Sequence, residues 1–179
     1  MLENGALAGR IAVITGASRG VGAAVAKRFA AEGAHVVLVA RTVGGLEEVD
    51  DAIKAAGGQA TLVPCDLTEF ERVDALGPAL LERFGKLDIL VGNAGALGEM
   101  TPLTHYDDKE WHNVFDVNIH ANWRLIRTLD PLLRRSDAGR AIMVTSGAAA
   151  NPRAFWGAYA TTKAALETMV RIWASELAK

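Results

Sequence analysis

Thr15-Gly16-Ala17-Ser18-Arg19-Gly20-Val21-Gly22 decides the fold. It follows the apolar run Ile11-Ala12-Val13-Ile14 and opens a helical pattern that continues to about Glu32. A strand turning sharply into a helix presents free backbone N–H groups and the positive end of the helix dipole, and together these hold phosphate. Glycine serves such a turn twice, by tolerating positive φ and by letting a pyrophosphate approach the backbone. The spacing here is G-x-x-x-G-x-G rather than the commoner dinucleotide fingerprint G-x-G-x-x-G. In its strand–turn–helix setting the stretch predicts nucleotide binding; a purely structural turn is the plainer reading.

Outward from this turn, short apolar runs alternate with longer stretches of helical period. Strands are predicted at Arg10–Ile14, His35–Ala40, Ala60–Pro64, Leu87–Val91 and Arg140–Thr145. Helices are predicted near Val21–Glu32, Leu46–Ala56, Glu69–Phe84 and Asp107–Arg134, with a last one from about Ala158 to the end. Runs rich in Val, Ile and Leu separated by amphipathic helices imply parallel strands with right-handed crossovers. The expectation is one doubly wound α/β domain over residues 1–179, with its ligands at the carboxyl ends of the strands. Gly33 and Gly57-Gly58 are predicted to end the first two helices as left-handed caps. Asp107 with Glu110 reads as a capping box, and Pro131 is expected to kink or end the fourth helix. The last two helices are apolar on several faces, through Trp111, Phe115, Trp123 and Leu125 in one and Leu166, Met169 and Trp173 in the other. Such helices need cover beyond their own sheet, from a partner subunit or from further chain.

Composition narrows the function classes. Half of the 179 residues are hydrophobic, 22% are charged and the net charge is -2. That balance suits a globular domain and argues against a chain that grips nucleic acid by its phosphates. Met1-Leu2-Glu3-Asn4-Gly5 lacks the basic-then-apolar order of a secretory leader, and no apolar run reaches the roughly 20 residues of a membrane span. Cys65 is the only cysteine, which fits a reducing cytoplasm. The four histidines lack metal-ligand spacing, so no metal site is expected.

The chemistry gathers toward the C-terminal half. Tyr159 and Lys163 lie four apart and share a helix face, and an ammonium beside a phenol favours the phenolate. Ser146 ends the fifth predicted strand, where it could either face a ligand or cap the following turn. As a hydrolytic nucleophile it would need a histidine and a Gly-x-Ser-x-Gly elbow, and Ser146, in Val144-Thr145-Ser146-Gly147, stands in no such elbow. Asn118 lies inside the predicted fourth helix, where an amide is unfavourable unless it bonds something. Asn93-Ala94-Gly95 follows the fourth strand, with small residues that let a flat ligand pass close. Asp66, followed by Leu67, stands after the third strand, placed to bond an adenine amine or to cap the next turn.

Taken together, Thr15–Gly22, Asn93–Gly95, Asn118, Ser146 and the Tyr159/Lys163 pair resemble the short-chain dehydrogenase/reductase family, in order and separation, from about Leu7 to Lys179. The resemblance implies a Rossmann-like three-layer αβα sandwich. It also implies hydride transfer between a nicotinamide dinucleotide and a carbonyl or alcohol substrate. Tyr159 would exchange the proton, Lys163 would tune Tyr159 and bond the nicotinamide ribose, Ser146 would hold the substrate oxygen, and Asn118 would anchor a relaying water. Gly16, Ser18, Arg19, Gly20, Val21, Gly22, Arg41, Asp66, Leu67, Asn93, Ala94 and Gly95 would contact the cofactor with Tyr159 and Lys163. The second strand ends Ala40-Arg41, with Ala40 where an acid would select NAD(H). Arg41 and Arg19 converging without a carboxylate between them suit the 2′-phosphate of NADP(H). Within the family, a 3-oxoacyl-thioester reductase and a reductase of small ketones, sugars or steroid-like substrates are both open; so is a nucleotide-binding module without turnover. The likeness further implies a homodimer or homotetramer through the last two helices. It places two more strands and a substrate loop beyond Lys179, so the fold is expected to be C-terminally incomplete and the 179-residue chain poorly active on its own.

Overall fold

In the computed structural model, which describes residues 5–177, five parallel strands form one sheet in the order β3-β2-β1-β4-β5. They are β1 (Ile11–Thr15), β2 (His35–Ala40), β3 (Gln59–Pro64), β4 (Ile89–Gly92) and β5 (Arg140–Met143). The helices are α1 (Gly20–Ala31), α2 (Val43–Ala55), α3 (Phe70–Phe84), α4 (Asp108–Phe115), α5 (Ala121–Leu133), α6 (Gly147–Ala150) and α7 (Gly157–Leu177). In register, Val13 stands opposite Val37 on one side and Leu90 on the other. Alternate strand residues feed two apolar layers, which is why β1, β2 and β4 read as unbroken hydrophobic runs. Val13, Val37 and Leu90 pack with Val73, Leu125, Leu129 and Trp173 on one face. Ala12, Ile14, Val36 and Leu38 pack with Ala26, Leu46, Val49 and Ile53 on the other. This is the three-layer, doubly wound architecture expected. The strand order reverses at β1, so the crevice between the carboxyl ends of β1 and β4 is the natural ligand position.

Several boundaries differ from expectation for visible reasons. The sheet ends at Met143 rather than Thr145; the Val144 N–H still bonds the Gly92 carbonyl of β4, while the Val144 carbonyl and the Thr145 hydroxyl bond α7. Helix α2 begins at Val43, three residues earlier than expected, and includes Gly45, where a Cβ would sit 2.9 Å from Ser18 Cβ. The single long helix expected over Asp107–Arg134 is α4 and α5 joined by one wide π turn at Asp116–His120. Pro131 does not end α5 before itself: the helix runs on to Leu133. Likewise α3 runs through Pro78, whose missing N–H leaves the Asp74 carbonyl without its helical donor. The Thr128 hydroxyl from α5 donates to that carbonyl at 2.8 Å. Gly33 and Gly57 do carry positive φ, 88° and 80°, at the ends of α1 and α2. Asp107 accepts from the Glu110 N–H, as a cap should.

Of the apolar residues on the last two helices, Leu125, Leu166 and Trp173 are covered by the molecule's own core, while Trp123 remains exposed. At the opposite end of the sheet from the crevice, Asp88 is fully buried and accepts from Ser136, Lys86, Arg10 and the Ile11 N–H. No helix among the described residues is long and apolar enough to cross a membrane. The expected leader-free start at Met1–Asn4 and the run of the last helix to Lys179 lie outside the described residues.

Candidate active site

The glycine turn and the Asn93 segment meet at the crevice, joined by Thr15. Fully buried, the Thr15 Oγ1 accepts from the N–H groups of Asn93 and Ala94, each at 3.0 Å. In return the Asn93 side chain donates to the Thr15 carbonyl at 2.9 Å. The three glycines then have different jobs. A Cβ on Gly16 would lie 2.9 Å from Asn93 Nδ2, and one on Gly22 would overlap the Gly16 carbonyl; both are needed for packing. Gly20 has φ +58° and open space where a side chain would stand. The start of α1 at Gly20 carries no side-chain cap from Arg19, which leaves its first N–H groups without that partner. Val21 is exposed beside it. This cradle fits a pyrophosphate.

Toward the edge of the cradle, Arg19 and Arg41 are both exposed. The expected absence of a carboxylate between them needs correction, because the Asp66 Oδ2 lies 3.6 Å from the Arg41 guanidinium. Asp66 also caps the next turn, accepting from the Thr68 N–H and hydroxyl at 2.9 and 2.8 Å. Burial works to raise the Asp66 carboxyl, but these Thr68 bonds, followed by Arg41, outweigh it and hold it below the usual range. The Leu67 side chain turns into the core, leaving its backbone for any ligand.

The second half of the site is built on α7. Lys163 is only 3% exposed, and its Nζ donates to the Val144 carbonyl at 2.8 Å and lies 5.7 Å from the Tyr159 ring centroid. Burial pushes its ammonium below the ordinary lysine value. Gly95 passes directly over this amine: a Cβ there would be 3.4 Å from Lys163 Nζ and 3.3 Å from Asn118 Oδ1. Asn118 sits in the π turn, fully buried. Its Oδ1 accepts from the Ala96 N–H, and its Nδ2 donates to the Ala96 carbonyl and to Thr162 Oγ1. Both amide hydrogens are therefore engaged, and the side chain braces the segment after β4 against α7. Asn122 adds a bond from its Nδ2 to the Asn118 carbonyl at 2.9 Å. Ser146 opens α6 by accepting from the Ala148 N–H at 3.2 Å, so its own hydroxyl hydrogen is free to donate. Helix α6 packs on α7, which brings the Ser146 and Tyr159 elements together.

The supporting roles of four residues escaped the sequence reading. Thr15, Thr162 and Glu167 act on partners distant in the chain, Glu167 accepting from the Thr145 hydroxyl at 2.8 Å, while Asn122 bonds a carbonyl four residues back. Only Thr15 had a local signal, as the last strand residue before the glycine turn.

Comparison with known proteins follows the same outline. A family model described as short chain dehydrogenase matches residues 10–179. The fatty acyl-CoA reductase of Acinetobacter baylyi is 39% identical over 173 residues, covering 96% of this chain. The chain spans 58% of that relative's length. The crystal structure of a metagenomic short-chain oxidoreductase in complex with NADP superposes with a TM-score of 0.91 at 39% identity, over 96% of this chain and 77% of that one. A short chain dehydrogenase from Salmonella enterica gives 0.92 at 35% identity, over 98% of this chain and 74% of the other.

Proposed function

This chain belongs to the short-chain dehydrogenase family, and from that premise we propose that it is part of an oxidoreductase interconverting a carbonyl and its alcohol with NADP(H). The observation that carries the proposal is the buried Lys163 amine, held by the Val144 carbonyl beside Tyr159 at the carboxyl ends of the strands. The open cradle at Gly20 would hold the pyrophosphate, and Arg19 with Arg41 the 2′-phosphate; the NADP bound by the metagenomic neighbour supports that choice. The hydride for the carbonyl carbon is the chemistry that NADPH supplies when bound.

The chain's own residues do the rest. Tyr159 donates its phenolic proton to the carbonyl oxygen as negative charge develops there, and takes it back in the oxidative direction. The free Ser146 hydroxyl hydrogen bonds the same oxygen, completing a two-donor clamp. Lys163 stabilises the phenolate left on Tyr159. Asn118 keeps the Gly95–Ala96 segment over Lys163, so the reacting groups stay aligned. The exposed Trp123 on α5 and Ile172 on α7 are the surfaces on which a second copy of the chain would pack.

The test uses the complete gene product with NADPH and a panel of aldehydes and ketones. Tyr159→Phe should lower kcat by about 10²–10⁴ while NADPH still binds. A Tyr159→Phe enzyme as fast as its parent overturns the mechanism.

A further inference from the structure

Resting on that oxidoreductase reading, we propose that the reacting carbonyl sits at the end of an extended apolar chain, laid along a rim formed by Leu97, Met100, Leu103 and Phe155. All four side chains are large, hydrophobic and open to solvent, from 46% exposed at Leu97 to 65% at Leu103. Scattered apolar residues on a surface mean little, but these four come from two segments joined to each other and to the site. Thr101 pairs with Trp156 in a backbone bridge, and Leu103 lies over Gly157, where a Cβ would overlap its side chain. Trp156 in turn meets the Tyr159 ring edge-on, with centroids 6.0 Å apart. At its other end, the first segment begins at Gly95 and Ala96, over Lys163 and Asn118. The rim is therefore continuous with the groups that handle the carbonyl.

The rim is also held in shape. Gly98, at φ +72°, is packed under Val114 and Tyr106, and the Tyr106 hydroxyl donates to the Glu99 carbonyl at 2.8 Å. Tyr106 packs edge-on against Trp111, which stacks on Phe115. Phe155 is the one non-glycine residue with positive φ among the described residues, at 72°. An aromatic residue in that region is strained, and here the strain holds a ring out in solvent instead of burying it. A clamped loop that keeps apolar side chains outward suits an apolar ligand that lies along it.

The experiment is kcat/KM of the complete gene product with NADPH for the unbranched aldehydes from butanal to decanal. The expected gain is roughly twofold per added methylene, below the roughly fourfold of complete burial. Leu103→Ser and Phe155→Ser should flatten that slope. Turnover of butanal with no rise toward decanal overturns the chain-length proposal and leaves the oxidoreductase reading standing. If the two variants change subunit assembly and leave the slope intact, the rim is a contact between copies and the proposal fails. Should no carbonyl be reduced, the oxidoreductase reading falls, and tryptophan fluorescence with decan-1-ol against butan-1-ol decides the rim separately. Tighter binding of the longer alcohol that is lost in Phe155→Ser supports it, and equal binding overturns it.

Discussion

Burial acts to raise the Asp88 carboxyl, but bonds from Ser136, the Ile11 N–H, Lys86 and Arg10 outweigh it and bring it down to about 2. An unfolded aspartate titrates near ~3.9, so the ionised form stabilises the fold above that value. The stabilisation, about 2 kcal/mol, is lost as pH falls from about 4 through 2. Urea unfolding should show Asp88→Asn well below its parent at pH 7, with the gap narrowing at pH 2.5; a constant gap would contradict this account. Arg41 governs a different residue-scale property. On the proposed reading, replacing it with Asp would remove a charge-assisted bond to the 2′-phosphate, weakening NADPH by about 10–100-fold and favouring NADH. Fluorescence titration with both cofactors measures the shift, and unchanged preference would remove Arg41 from the site. The residue types of the site were legible because each carries its chemistry in its own side chain. Their supports were not: Thr162 and Asn118 meet across 44 positions, and Asp66 reaches Arg41 from the loop after β3.

At the scale of elements, the crossing of α3 and α5 is set by Gly77, Pro78 and Thr128. Gly77 removes the Cβ that would collide with Thr128, and Pro78 frees the carbonyl that Thr128 then satisfies. Thr128→Val keeps the shape and leaves the Asp74 carbonyl without its donor, which should cost about 1–3 kcal/mol. Thermal unfolding of this variant is the check; an unchanged Tm would mean that water replaces the hydroxyl. A proline in mid-helix usually argues for a break, and Pro78 and Pro131 show why that inference weakens when another helix satisfies or bypasses the lost bond. Strand β2 is legible to the residue because an unbroken apolar run and flanking turns coincide there. The π turn at Asp116–His120 was hidden, since the apolar period of α4 and α5 continues across it and only the tertiary bonds of Asn118 mark it.

For the molecule as a whole, the alternation of strands and helices was enough to give the sheet, because each βαβ unit has one preferred hand and neighbour. The covering of β5 was not readable. That strand lies at the sheet edge with Ile142 half exposed, beside a cavity of about 300 Å³ lined by Leu133, Ala141, Val170 and Trp173. An open apolar edge invites pairing between copies. Ile142→Lys should reduce self-association of the 179-residue chain at high concentration, as measured by light scattering; undiminished association would place the contact elsewhere. The Thr15–Asn93 clasp has a consequence for how the protein is made. Its two halves lie 78 residues apart, so a growing polypeptide that has released only its first two strands has a glycine bend with no floor. On the proposed reading, dinucleotide would stabilise the nascent domain only after the Asn93 stretch has left the ribosome, and early translation would proceed without that help.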